Sequence, residues 1–238
     1  MLEHLADANG EAGITQLTRA SGLPLPTVHR LLRALTRSGY VRQGASRRYL
    51  LGPRLIRLGE VASRSLGLQV QPHLDALAQV TGETCNMALL DGDEMIYVAQ
   101  AASKHPMRMF TEVGRRVHAH CTAVGKAVLA QLPPEQVLAL VARTGMPAST
   151  QNTVTDPTAL LVDLEAIRQQ GYAIDNEEQE VGVICVAAAI RFRQVRVAIS
   201  VSGPSVRLDA EAIERIIPLL KRATANIEAS VAMPEEAS

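Results

Sequence analysis

The chain has no tryptophan and only 3% aromatic residues, so its core must be filled by Leu, Ile, Val and Ala. Its three cysteines are odd in number and widely spaced, which argues against a disulfide framework and fits a reducing cytoplasm. No apolar run approaches the length of a membrane span, so no membrane partner is expected. The opening Met1-Leu2-Glu3-His4 lacks the basic and apolar regions of a signal peptide, and a cytoplasmic protein is expected. Net charge is missing too, with 24 Lys or Arg balancing 24 Asp or Glu. What is present is a 47% apolar fraction, ample for a core, and 238 residues, comfortable for two domains.

Neutrality hides a division. Residues 1–66 hold ten Arg against four acids, an excess of six positive charges, and the remainder carries the matching negative excess. A basic head on an acidic body points to a polyanion partner, although a solvated basic face would look the same by charge alone.

Periodicity separates these readings. Leu2 to Ala8 is a short helical stretch ended by Asn9-Gly10, and Thr15 can cap a helix that follows Ile14. Ser21-Gly22-Leu23-Pro24 then reads as a tight turn, with Gly22 supplying the unusual dihedral and Pro24 stopping the helix. A second helix opens with Pro26 near its first position and closes at Gly39. Val28, Leu31, Leu32 and Leu35 fall at i, i+3, i+4 and i+7, a single buried stripe. At about 100° per residue, Arg30, Arg33 and Arg37 lie on the opposite side. Guanidinium groups fork onto phosphates and pair bidentately with guanine, and Thr27 and His29 sit near the helix start where base edges are met. Tyr40-Val41-Arg42 and Arg48-Tyr49-Leu50-Leu51 flank Gly44-Ala45-Ser46-Arg47 as a hairpin with Arg47 and Arg48 at its tip. Together these make a winged helix-turn-helix, residues 1–52, for which duplex DNA is the partner. Pro53 opens a further helix through Leu55, Leu58, Ala62 and Leu66, read as an interdomain helix, residues 53–69.

Residues 70–238 alternate strands and helices. Strands are expected at 84–90, 95–101, 171–175, 183–190 and 195–201, with Asp91-Gly92-Asp93 a hairpin turn. Helices are expected at 70–80, 122–131, 135–143, 157–170 and 209–230. Tight turns between neighbouring strands imply a largely antiparallel sheet flanked by helices, an α+β domain. Ser200 and Ser202 lie two apart and face one side of their strand. Cys185 lies in an apolar stretch, and Asp175 ends the preceding strand. Taken alone, such serines are commonly satisfied by backbone and such a cysteine packs as a small hydrophobe.

Three sharper chemistries fit poorly. Gly125-Lys126-Ala127 is no phosphate loop, because His120 replaces the upstream glycine and no Ser or Thr follows Lys126. His118, His120, Cys121 and Cys185 lack a zinc spacing. A Cys185, His120 and Asp175 nucleophilic enzyme has no elbow or oxyanion loop behind it. No catalytic residue, cofactor or metal is expected. Glu177, Glu178 and Glu180 read as a solvated loop, or as a lid on a pocket.

The order of motifs carries further information. Gly22-Leu23-Pro24, Thr27-Val28-His29-Arg30-Leu31-Leu32 and Gly39-Tyr40-Val41 resemble the DNA-binding half of the isocitrate-lyase-regulator (IclR) family. Gly171-Tyr172-Ala173-Ile174-Asp175-Asn176-Glu177-Glu178, with Gly182 and Cys185-Val186-Ala187-Ala188, resembles that family's signature. Glu83-Thr84-Cys85-Asn86-Met87-Ala88, the run His120 to Ala127, and Ser200-Val201-Ser202-Gly203-Pro204 follow the same pattern in order. The similarity covers nearly the whole chain and looks nearest to glyoxylate- and allantoin-type regulators. Departures are a start almost inside the first helix, Pro26 in place of a small polar residue, and Ala189 where proline is frequent.

The resemblance implies a GAF-like effector domain with a pocket formed by the Ala123 and Val124 backbone N–H groups, Asp175, Cys185, Ser200 and Ser202. Met109 and Val183 would form apolar walls. A helix amino terminus at 122–125 would attract a carboxylate and the serines its other oxygens. A small 2-oxo acid such as glyoxylate or pyruvate is expected. A homodimer or homotetramer would then bind a near-palindromic operator and respond to that acid. A metabolic enzyme built on the second domain, or an architectural DNA protein without ligand, are the alternatives.

Overall fold

The computed structural model describes residues 1–65, 70–106, 111–192 and 195–232. Met109 and Leu66 lie outside these residues. The chain divides into two compact units, Met1–Leu68 and Gln69–Ser238.

In the first unit α1 (Leu2–Asp7), β1 (Glu11–Ala12), α2 (Ile14–Ser21), α3 (Leu25–Arg37), β2 (Val41–Gln43), β3 (Tyr49–Leu51) and α4 (Arg54–Ser65) follow in order. Leu5, Leu17, Val28, Leu32, Val41 and Tyr49 close one small core, each large side chain contributing about 1.5–3 kcal/mol on burial. α2 stops at Gly22, whose φ of 65° is left-handed, and Pro24 precedes α3 in extended conformation. α3 ends in a Schellman arrangement: Tyr40 N–H donates to Leu35 O at 3.0 Å and Gly39 N–H to Thr36 O at 3.1 Å.

Two local expectations are corrected. The N-cap of α2 is Gly13, extended at ψ 155° with no side-chain cap, so Thr15 lies inside the first turn. Leu31 is 38% exposed. It sits at the edge of a stripe that this small core fills with Val28 and Leu32, with Leu35 packed partly against it. The short β1 was not anticipated; it pairs with β3 on the side opposite β2, giving the order β1-β3-β2.

The second unit runs α5 (Gln71–Thr81), β4 (Thr84–Asp91), β5 (Glu94–Ala101), β6 (Arg116–His118), α6 (Ala123–Leu129), α7 (Pro134–Thr144), α8 (Pro157–Gln170), β7 (Ala173–Asn176), β8 (Val183–Arg191), β9 (Arg196–Pro204) and α9 (Ala210–Ala232). The six strands pair antiparallel in the order β6-β5-β4-β9-β8-β7. Two-residue periodicity gives the sheet two unlike faces. One is apolar, with Met87, Val186, Ile190, Ile199 and Val201 buried, and α5 and α9 cover it. The other carries Ala88, Ala187 and Ala198, on which α6 lies with α7 and α8 outside it.

Small residues let α6 approach. A Cβ on Gly125 would fall on the backbone of Ala119. β6, three residues long, was too short to show alternation in the sequence. No helix among the described residues is long and apolar enough to cross a membrane.

Candidate functional site

In the first unit, α3 presents His29, Arg30, Arg33 and Arg37 exposed, with Thr27 half-buried at its first turn. Among the described residues none of the three arginines has an ion-pair partner. At the wing, Gly44 N–H donates to Arg48 O at 2.8 Å and Arg47 N–H to Gly44 O at 3.0 Å. Arg47 takes φ 58° there and stays exposed. Arg48 is differently placed: its Nε meets Glu11 Oε1 at 2.9 Å, so part of its charge is met by β1. Arg54, which the sequence did not distinguish, donates to Ser38 O at 2.9 Å and lies over the Tyr40 ring, fixing the end of α3.

In the second unit, antiparallel register builds a polar row across the α6 face of the sheet. Asp175 stands opposite Cys185, Cys185 opposite Ser202, and Ser202 opposite Thr84. One step along, Ser200 stands opposite Asn86, and Asn86 opposite Gln100. Asn86 Nδ2 donates to Ser202 Oγ at 3.4 Å, and Gln100 Nε2 to Asn86 Oδ1 at 3.2 Å. Burying this many polar groups costs free energy unless they are bonded to each other or to something bound there.

Above the row lies the start of α6. Thr122 caps it, its Oγ1 accepting from Gly125 N at 3.2 Å, while Lys126 N–H donates to Thr122 O. The expected free terminus therefore narrows to the N–H groups of Ala123 and Val124. A cavity of about 20 Å³ gathers Ala123, Val124, Asp175, Val183, Cys185, Ser200 and Ser202. Its wall also includes Tyr97, Thr111, Gln179 and Glu180, which sequence reasoning did not assign to the pocket. Burial pushes the Asp175 carboxyl up to about 7, against the pull of N–H groups from Glu178 and Gln179. Those donors reach Asp175 Oδ1 at 2.7 and 3.3 Å.

The acidic loop after Asp175 is not the solvated one expected. Glu178 is buried, and its Oε1 meets Lys126 Nζ at 2.6 Å. Asp163 Oδ2 takes the same ammonium at 2.8 Å. Burial alone would lower the Lys126 pKa, yet the two carboxylates hold it above its ordinary range. Glu178 Oε2 has no hydrogen-bond partner among the described residues. Glu177 accepts from Gly182 N at 2.8 Å and sits at φ 58°. A lysine inside the apolar run from Ala123 to Leu129 was the available signal that a buried acid must lie nearby.

His120 is not brought to Cys185 and Asp175. Its Nε2 lies 3.2 Å from Pro147 O, and it does not line the cavity. Burial, then the nearby Asp175, push the Cys185 thiol up, against the thiolate a nucleophile needs. Cys121 donates to Gln179 Oε1 at 3.0 Å. Among the described residues no group of three or more His, Cys, Asp or Glu is arranged to hold a metal ion.

Residues 60–229 match the bacterial transcriptional regulator IclR C-terminal family, and residues 1–45 the IclR helix-turn-helix domain. The chain belongs to the IclR family of transcriptional regulators. This IclR-family chain is 40% identical to the transcriptional repressor IclR of Escherichia coli K12 over 215 residues, 87% of this chain and 78% of that protein. It is 34% identical over 226 residues to the regulator KdgR of the same strain, 93% of this chain and 86% of the relative. The IclR transcriptional regulator structure from Alicyclobacillus acidocaldarius is similar at TM-score 0.84 and 28% identity, covering 97% of this chain and 95% of that one. An IclR homologue from Microbacterium hydrocarbonoxydans, complexed with 4-hydroxybenzoate, is similar at TM-score 0.83 and 25% identity, covering 93% and 92%. As a member of this family the chain is a ligand-responsive, DNA-binding regulator.

Proposed function

We propose that this regulator controls a metabolic operon by sensing a small 2-oxo acid, with glyoxylate and pyruvate the first ligands to test. The observation that carries the proposal is the convergence of Ser200, Ser202, Asp175 and the Ala123 and Val124 N–H groups on one cavity. The N–H pair receives a carboxylate, the serines bond its remaining oxygens, and the protonated Asp175 donates to the acid or accepts from its hydrate. Cys185 and Val183 give the apolar contact, and Met109 completes that wall in the proposal. At about 20 Å³ the cavity has room for roughly one water, so an acid enters only by displacing part of the wall. Gln179 and Glu180 belong to the loop best placed to give way.

In the same proposal, two copies or two pairs of copies read a near-palindromic operator. Arg30, Arg33 and Arg37 meet phosphates and guanine edges, Thr27 and His29 the bases near the α3 start, and Arg47 with Arg48 the flanking backbone. Residues 53–69 act as the interdomain helix between a reading head, 1–52, and an effector domain, 70–238. The coupling required is modest, about 1–3 kcal/mol.

The test is an operator titration with and without each acid, run on the full chain and on the Ser200→Ala, Ser202→Ala double variant. The variant should bind operator normally and lose its response to the acid. A normal response would place the sensing site elsewhere.

A further inference from the structure

We infer that the effector domain holds a second ligand site, for a single-ring carboxylic acid, on the same sheet face as the polar row but further along β8. A cavity of about 300 Å³ opens there between α6, α8 and β8, a volume typical of small-molecule sites. It exists because three alanines stand where larger side chains would fill it: Ala127 and Ala130 on the α6 side and Ala189 on β8. Ile167 and Tyr172 form a wall, so the lining suits an apolar ring.

The charge at its rim is specific. Arg168 also lines the cavity, but it is engaged: Nε donates to Ala130 O at 2.9 Å, and its guanidinium pairs with Glu165. Arg191 is different. Its main-chain N–H is held by Glu228 Oε1 at 2.7 Å, which anchors the residue at the end of β8. No carboxylate among the described residues pairs with its guanidinium. One uncommitted guanidinium beside an alanine floor recognises one carboxylate attached to an apolar body. A multiply charged phosphate would find too few donors. Ala189 and Cys185 face the same side of β8 with Ala187 between them, so this cavity and the polar row occupy distinct stretches of the strand. The inference does not rest on the effector reading above.

The probe is benzoate, titrated calorimetrically into the full-length protein. Saturable binding is expected at millimolar concentrations, weakened roughly tenfold by Arg191→Gln, since a charge-assisted pair is lost. Ala130→Leu should block it by filling the floor, and the Ser200→Ala, Ser202→Ala double variant should leave it unchanged. Arg191 is exposed, so its variant decides the question even if Ala130→Leu fails to fold. Absence of saturable binding would overturn the inference. So would binding that survives Arg191→Gln but is lost in the serine double variant, which would place benzoate in the other pocket.

Discussion

Replacing Asp175 by Asn isolates one proton. Asn keeps an Oδ1 acceptor for the N–H groups of Glu178 and Gln179, so the turn after β7 retains its hydrogen bonds, but the side chain no longer ionises. Burial raises the aspartate from 3.8 to about 7, roughly three units, or about 4 kcal/mol as an upper bound at 1.36 kcal/mol per unit. The sign follows from linkage. A carboxyl whose folded pKa lies above its unfolded one stabilises the fold fully below the unfolded value, and that stability is lost as pH rises through the folded value. The wild type should therefore lose stability relative to Asp175→Asn between about pH 4 and about pH 7, and the gap should then level off. Glu178 and Lys126 also face this region, the first raising and the second lowering the Asp175 value, so part of the gap reflects their charges. Urea unfolding of both proteins across that window, at fixed protein concentration, measures the difference. Parallel curves would refute a buried, proton-holding Asp175. Affinity for an acidic effector should fall over the same range, because an ionised Asp175 repels a carboxylate.

Other perturbations test separate links. Lys126→Met leaves Glu178 buried without its cation and should cost about 3–5 kcal/mol. Adding Glu178→Gln should recover much of that in thermal unfolding, and a double variant as unstable as the single would contradict the pairing. Arg30→Ala should weaken operator binding and reduce the slope of log K against log salt by about 0.9, with ligand binding by the second unit unchanged; equal loss of both would break the division of labour. Gly125→Ala drives a methyl into the backbone of Ala119 and should cost about 1–3 kcal/mol or more. An unchanged melting temperature would show that α6 can shift away at no cost.

What could be read in advance was periodic. Val28 and Leu32 against Arg30, Arg33 and Arg37 needed only the pitch of a helix, and Ser200 with Ser202 only the pleat of a strand. The family resemblance supplied the rest of the pocket's membership. What escaped was tertiary. Glu11 meets Arg48 only because a two-residue strand pairs with β3, and two residues carry no alternation. Asn86 and Gln100 join the serines only through the β4–β9 and β4–β5 registers, although polar residues in otherwise apolar strands did mark them. Glu178 looked solvated because three acids within four positions ordinarily are, and the cation that buries it is remote in sequence.

These misses share one physical origin. The alanines at 88, 187 and 198 and the bare backbone of Gly125 let α6 lie close on the sheet. Close approach brings the N–H groups of Ala123 and Val124 over Ser200 and Ser202, which is what a carboxylate receptor requires. The same approach drives Lys126 into the interior, where an isolated ammonium would be intolerable. Glu178, with Asp163, answers that charge, and in doing so ties down the loop whose Gln179 and Glu180 line the cavity. The buried ion pair thus follows from the geometry that makes the pocket, and a larger side chain at any of those alanines should loosen both together.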